Sequence, residues 1–215
     1  MLSCGPSASS DPDAIGRPSN VSGVPQCAHT PIKKDGKRVL VVSGSPRRGG
    51  NTDLLADAFA KGASEAGGNV DKIFLADSAL EFLSSQGANH PQSVSRNTPT
   101  GRIVEKFLVA DVVVLASPVY YMNVSDRMKT FIDATYLGLG DSRMAGKEYY
   151  YLTAFAERDT NTAEWIYNAF RGFIMWLPES VERGHVGAAG MGAAGAVKGS
   201  DYERQAYLLG KTINE

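Results

Sequence analysis

Cysteine is nearly absent from this 215-residue chain, because its only two cysteines, Cys4 and Cys27, both lie near the N-terminus. The body of the sequence therefore cannot build a disulfide framework or a cysteine-ligated metal site. We expect a cytoplasmic protein, since so few cysteines are typical of reducing compartments. The histidines, at positions 29, 90 and 185, do not have the spacing of metal ligands.

An excess of one charge and long apolar runs are also lacking. The formal net charge of −1 is typical neither of a nucleic-acid-binding protein nor of a strongly acidic electron carrier. No apolar run approaches the ~18 residues of a membrane span. We therefore expect no nucleic acid and no membrane among the partners.

The composition changes sharply near Lys37. Residues 1–36 are rich in serine, proline, glycine and aspartate, a composition that buries too little surface to offset the entropy of ordering. We expect a disordered leader there. Residues 37–215 are expected to form one domain.

From Lys37 onward, apolar segments typical of buried strands alternate with helical periodicities. Strands are predicted near 39–42, 70–75, 111–118, 148–154 and 186–190. Helices are predicted to begin near residues 51, 99, 125 and 202, and a longer helix is predicted to carry Trp165, Ile166, Ala169, Phe170, Phe173 and Ile174. This alternation predicts an α/β fold, a doubly wound five-stranded parallel sheet of order 2-1-3-4-5 with helices on both faces. Ligands of such folds bind beyond the carboxyl ends of strands 1 and 3.

The loop after the first strand reads VSGSPRRGGNT, residues 42–52. Its glycines let backbone N–H groups approach an anion, and a helix begins at about Asn51. Gly50 and Asn51 stand where a triphosphate-binding loop has lysine and a metal-binding hydroxyl, and the dinucleotide pattern G-x-G-x-x-G is absent. A terminal phosphomonoester is the remaining candidate ligand. A capped turn without a ligand explains the loop equally well.

The loop after the third strand, SPVYYMNVS at residues 117–125, is apolar and aromatic where loops are normally polar. A flat ring could lie against it, with Asn123 at the polar edge of the ring. Alternatively, Tyr120 and Tyr121 cover the core. The small-residue run GAAGMGAAGA, residues 187–196, has two explanations as well: a turn near such a ring, or close packing beside the sheet.

Together, VLVVSGSPRRGGNTDLLADAF and ADVVVLASPVYYMNVSDRMKTFID resemble the NADPH-dependent FMN reductase family of flavodoxin-like NAD(P)H oxidoreductases. The likeness spans about residues 37–213. It implies a flavodoxin-like fold, bound FMN, and NADPH or NADH as co-substrate. The implied reaction is a ping-pong hydride transfer through FMN to a small-molecule acceptor such as a quinone, a free flavin or a nitro compound. It also implies a homodimer.

The resemblance assigns cofactor-binding residues by their place in the two motifs. The FMN phosphate would be held by the first loop, at Ser43, Ser45, Arg47, Asn51 and Thr52. The flavin ring would lie against the second loop, at Pro118, Val119, Tyr120, Tyr121, Met122 and Asn123. A third family loop would correspond to residues 153–157. No catalytic side chain and no metal are implied, because the cofactor carries the chemistry.

The chain departs from the family pattern at several places. Many relatives carry a cysteine cluster between strands 2 and 3 that binds an iron–sulfur centre in one branch, and this chain has no cysteine there. Ala134 stands where the family often has arginine, and residues 78–98 are unlike the family. An FMN-binding electron-transfer or regulatory protein without nicotinamide turnover remains an alternative. A phosphate-ester enzyme would need a nucleophile or metal ligands that the loop does not offer.

Overall fold

A parallel sheet of order β2-β1-β3-β4-β5 forms the centre of the protein in a computed structural model that describes residues 36–90 and 95–215. Its strands are β1 (Arg38–Ser43), β2 (Asn69–Phe74), β3 (Val112–Pro118), β4 (Glu148–Ala154) and β5 (Val181–Ala188). The predicted fold class and strand order are confirmed. The predicted leader, apart from Gly36, lies outside the described residues.

Helices connect the strands and cover both faces of the sheet. They are α1 (Asn51–Glu65), α2 (Ser85–Asn89), α3 (Pro99–Val109), α4 (Asp126–Ala134), α5 (Thr162–Ile174) and α6 (Asp201–Lys211). Helices α3, α4 and α5 pack on one face, while α1 and α6 pack on the other. Thr98, Ser125 and Ser200 cap the N-termini of α3, α4 and α6, because each side chain accepts a hydrogen bond from a first-turn N–H.

The central strands are buried on both sides, which explains their uninterrupted β-branched sequences. Every residue from Val39 to Ser43 and from Val112 to Ser117 is buried, as expected for parallel strands between two helical layers. Helices α1 and α6 approach closely at Gly62, where a Cβ atom would clash with the carbonyl oxygen of Tyr207. The layers are therefore tightly packed around the sheet.

The prediction for the fifth strand was wrong at its start. Strand β5 begins at Val181 rather than near residue 186, and its first half alternates between exposed and half-buried residues. An edge strand with charged, exposed positions shows no buried apolar run. The short helix α2 was not predicted either, since its five residues, SQGAN, lie in a polar segment. Among the described residues, no helix is long and apolar enough to cross a membrane.

Candidate functional site

An open cleft lies at the carboxyl ends of β1, β3, β4 and β5, with a volume of about 630 Å³ that includes space open to solvent. It is lined by Ser45, Pro46, Arg47, Gly50, Asn51, Thr52, Pro118, Val119, Tyr120, Ala154, Phe155, Ala156, Met191, Gly192 and Ala194. Four separate loops therefore meet at the predicted switch point of the sheet, where folds of this kind bind small molecules.

The loop after β1 is fixed by its own hydrogen bonds and by contact with the loop after β3. The Ser45 hydroxyl donates to the Arg47 carbonyl over 2.8 Å and accepts from the Arg47 N–H over 3.2 Å. Ser125 donates its hydroxyl proton to the Gly44 carbonyl over 2.8 Å. A Cβ atom on Gly44 would lie only 2.9 Å from the Ser125 hydroxyl oxygen, so glycine is needed for this close approach.

The N-terminus of helix α1 opens at the cleft without a side-chain cap. Its N-cap residue is Gly50, which has no side chain to accept a hydrogen bond from the first-turn N–H groups. Within the described part of the chain, the backbone N–H groups of Asn51, Thr52 and Asp53 have no acceptor. Unpaired N–H groups at the positive end of a helix dipole form an anion-binding arrangement. Arg47 adds a positive side chain to the same wall.

Asp53 supports this loop from beneath. It is 3% exposed, and its carboxylate accepts from the Ser43 hydroxyl, the Gly49 N–H and the Lys72 ammonium. Burial alone would raise the pKa of Asp53, but these hydrogen bonds outweigh it and hold the pKa below its usual value. The carboxylate therefore stays charged and fixes Gly49, whose φ of +64° lies in the left-handed region that favours glycine.

The loop after β3 forms a tight turn at the mouth of the cleft. Tyr120 and Asn123 exchange two backbone hydrogen bonds of 3.0 Å, and the residues between them, Tyr121 and Met122, have φ values of +50° and +57°. Left-handed conformations at two non-glycine residues store backbone strain. The turn directs Tyr120 into the cleft lining and leaves Tyr121 fully exposed.

Asn51 links the start of helix α1 to the loop after β5. Its amide nitrogen donates to the carbonyls of Met191 and Ala193 over 2.7 and 2.8 Å, and its amide oxygen accepts from the Val197 N–H over 3.2 Å. Met191 in turn donates its N–H to the carbonyl of Phe155 in the loop after β4. One side chain of α1 therefore positions the glycine- and alanine-rich loop after β5.

The structure brings most of the predicted site residues together. Ser45, Arg47, Asn51, Thr52, Pro118, Val119 and Tyr120 line the cleft. The hydroxyl of Ser43 lies under the loop on Asp53, while Tyr121, Met122 and Asn123 are exposed and outside the lining. A ligand-binding role for each predicted residue stays a prediction.

Sequence reasoning missed Asp53 and Lys72, and it left two explanations open for the loop after β5. The partnership of Asp53 with Lys72 joins α1 to β2, and no local pattern indicates it. One of the two explanations for the small-residue run at 187–196 was a turn near the ligand, and Met191, Gly192 and Ala194 of this run line the cleft. Its hydrogen bonds to Asn51 could not be read from spacing.

Comparison with known proteins assigns the chain to a family. Residues 37–182 match the model of the NADPH-dependent FMN reductase family, and the chain belongs to that family. The chain is 36% identical over 100 residues to an iron-sulfur flavoprotein of Archaeoglobus fulgidus, an alignment covering 45% of this chain and 44% of that protein. The chain thus spans about half the length of the first curated relatives that it matches.

A longer alignment links the chain to an iron-sulfur flavoprotein of Methanocaldococcus jannaschii. The two are 28% identical over 197 residues, covering 83% of this chain and 96% of that one. Among solved structures, an NAD(P)H:quinone oxidoreductase from Methanothermobacter marburgensis superposes with a TM-score of 0.64 at 18% identity, covering 84% of this chain and 97% of that one. At this identity the likeness shows the fold.

Proposed function

We propose that the protein is an FMN-dependent NAD(P)H oxidoreductase that passes electrons from a nicotinamide to a small-molecule acceptor such as a quinone, a flavin or a nitro compound. The observation that carries this proposal is one cleft with two chemically different walls. An uncapped helix N-terminus forms the first wall, and an apolar shelf after β3 and β4 forms the second. Family membership adds support for the cofactor and the donor.

The first wall fits a phosphate monoester. The unpaired N–H groups of Asn51, Thr52 and Asp53 would donate to its oxygens, and Arg47 would balance its charge. Thr52 belongs to the cleft lining, and we propose that its hydroxyl is a further donor to the phosphate. No lysine stands at the position that a triphosphate would require.

The second wall fits a flat aromatic ring. Pro118, Val119 and Tyr120 form one side, and Phe155 and Met191 face the same cleft from the loops after β4 and β5. Apolar and aromatic surfaces bury such a ring and exclude water from it. When FMN is bound, it supplies the hydride and electron-transfer chemistry, while these residues orient it.

The iron–sulfur centre in the names of the relatives is not part of the proposal. Between Lys37 and Glu215 the sequence contains no cysteine, and iron–sulfur clusters require cysteine thiolates. We propose that the flavin is the redox group of this domain. A cytoplasmic location and a homodimer belong to the same proposal, the former supported by the scarcity of cysteine.

An anaerobic absorption experiment tests the function. The full chain is loaded with FMN, freed of excess cofactor, and titrated with NADPH and then NADH. Bleaching of the bound flavin by either nucleotide, followed by reoxidation with a quinone, is expected. Bound flavin that stays oxidised with both donors would favour an electron-transfer or regulatory protein, and failure to retain FMN would contradict the site assignment.

A matched pair of variants locates the activity in the cleft. Tyr120→Leu changes the shelf at a residue of the lining, whereas Tyr136→Leu changes a tyrosine of similar exposure outside it. We expect the first variant to lower FMN retention or turnover and the second to leave both unchanged. Equal behaviour of the two variants would argue against the assigned shelf.

A further inference from the structure

Helix α5 and the turn that follows it carry two large exposed side chains. Trp165 is 63% exposed and Trp176 is 70% exposed, although tryptophan is normally well buried. The opposite face of the helix, with Ile166, Phe170 and Ile174, is buried in the core. The exposed tryptophans are therefore not needed to hold α5 on the sheet.

Small residues lie between the two tryptophans. Trp165, Ala169, Gly172 and Trp176 are separated by four, three and four positions, which places them on one face of a helix. The helical path continues through Met175, whose φ and ψ are −59° and −21°. We call these four positions the α5 face. A Cβ atom on Gly172 would meet nothing within 4 Å, so this part of the face is uncovered, while Ala169 is half-buried and packs against the core.

The spacing of the α5 face is palindromic. A two-fold axis crossing the helix between Phe170 and Arg171 exchanges position 165 with 176 and position 169 with 172. In a pair of antiparallel helices related by that axis, Trp165 would lie beside the partner's Trp176, and Ala169 beside the partner's Gly172. Such self-complementarity is what an isologous dimer interface requires.

The chemistry and size of the face also suit a second copy. Its four positions carry no charge. Arg171, beside the face, is already paired with Glu164 and Glu182. Charged residues are depleted at the cores of protein interfaces. With these exposed fractions, the side chains of Trp165 and Trp176 together present roughly 300 Å² of accessible surface. That is more than a third of the ~800 Å² that each partner of a stable interface buries.

We propose that the α5 face is the dimerisation surface of this protein and that its occupant is the same face of a second copy. This inference deepens the homodimer of the proposed function and is independent of its redox chemistry. The small residues let the two helix backbones approach, and at each end Trp165 of one copy packs beside Trp176 of the other.

Sedimentation velocity on the full chain, with paired charged variants, tests the inference. Wild-type protein is expected to be a dimer, whereas Gly172→Glu and Ala169→Lys should each be monomeric, with a dissociation constant raised about a hundredfold, because the charge would be buried without a partner. An equimolar mixture of the two variants should dimerise again, since the ammonium introduced at position 169 of one copy then faces the carboxylate introduced at position 172 of the other. Ser64→Glu on α1, an exposed site off this face, should remain dimeric.

Tryptophan fluorescence gives a second readout, because Trp165 and Trp176 are the only tryptophans in the chain. Emission of the FMN-free protein should shift to the red on dilution of the wild type and be red-shifted at all concentrations in Gly172→Glu. A monomeric wild type at micromolar concentration, or a dimer that persists in Gly172→Glu with unchanged emission, would overturn the inference.

FMN retention, measured in the same samples, separates this test from that of the function. A dimeric wild type that reacts with no nicotinamide would support the α5 face as the dimer interface and would contradict the proposed activity. A monomeric wild type that oxidises NADPH would contradict the α5 dimer interface and would support the proposed activity. Circular dichroism of each variant confirms that a monomer is folded rather than disrupted.

Discussion

The two ends of the sheet differ in how their polar groups are satisfied. At the amino end, the buried Lys147 donates to two carbonyls at the end of helix α3, and Glu148 accepts from both Lys37 and Arg183. At the carboxyl end, the opening N–H groups of α1 have no acceptor in the described structure. The polar groups at the first end are paired within the protein, and we propose that those at the second end bind a ligand.

This difference separates stability from binding within one fold. Lys147 is 3% exposed, and burial lowers its pKa to about 8. Its hydrogen bonds to the Leu108 and Ala110 carbonyls, at 2.9 and 2.6 Å, replace the missing N–H partners at the end of α3. Changes at the amino end should therefore alter unfolding alone, and changes at the carboxyl end should alter ligand affinity.

The largest effect is expected from Lys147→Ala, which should lower the free energy of unfolding by roughly 3 kcal/mol because it leaves a cavity and two unpaired carbonyls. Lys147→Met keeps much of the side-chain volume and should lose less. Urea unfolding at pH 7 measures both values. FMN affinity should be the same in both variants as in the wild type, and a marked loss of affinity would break the separation of the two ends.

At the carboxyl end, Thr52→Val should weaken FMN binding by about ten- to a hundredfold, the loss for a hydrogen bond to a charged group. Riboflavin, which lacks the phosphate, should bind the variant and the wild type equally. Fluorescence quenching of each flavin gives the affinities. The control is Thr130→Val on α4, which removes a hydroxyl that donates to the Asp126 carbonyl. An equal loss of affinity for both flavins in Thr52→Val would contradict a phosphate contact.

The pH dependence of stability should show the buried lysine. The folded-state pKa of Lys147 is about 8 and the ordinary value is 10.5, so above pH 8 the unfolded chain holds the proton more tightly than the folded one. Stability of the wild type relative to Lys147→Met should therefore rise between about pH 8 and 10. Urea unfolding across this range measures it, and parallel pH curves for the two proteins would refute the buried charge.

The smallest effect is expected from relieving strain at each end. Met122 at the cleft and Glu179 before β5 both have φ of +57°, and glycine at either position should stabilise the fold by about 0.5–1 kcal/mol. Thermal unfolding measures this gain. Only Met122→Gly should also change FMN affinity, and a change of the same size in Glu179→Gly would show that the turn after β3 has no special role.

Much of the fold follows from the sequence because the central strands are buried on both faces. The runs at 39–42 and 112–116 have no polar interruption, and the helix starts carry proline or capping residues such as Thr98 and Ser125. Strand β5 has a weaker hydrophobic pattern because Glu182, Arg183 and His185 occupy its more exposed half. Its pairing with β4 also shifts register between Tyr149 and Tyr150.

The candidate site was predictable where its residues are adjacent in sequence. The loops after β1 and β3 each contain a dense local pattern, and both reach the cleft. Contacts between distant segments could not be predicted: Asn51 binds the carbonyl of Ala193, and Asp53 pairs with Lys72. Spacing also does not show that the turn directs Tyr120 inward and Tyr121 outward, because backbone strain is a property of the folded chain.

The central claim is that the open end of the sheet recognises a flavin phosphate. Titration of the wild-type chain with FMN and with riboflavin tests it most directly, since the two ligands share the ring and differ in the phosphate. The account predicts that FMN binds about a hundredfold more tightly or better. Equal affinity for the two flavins would contradict it.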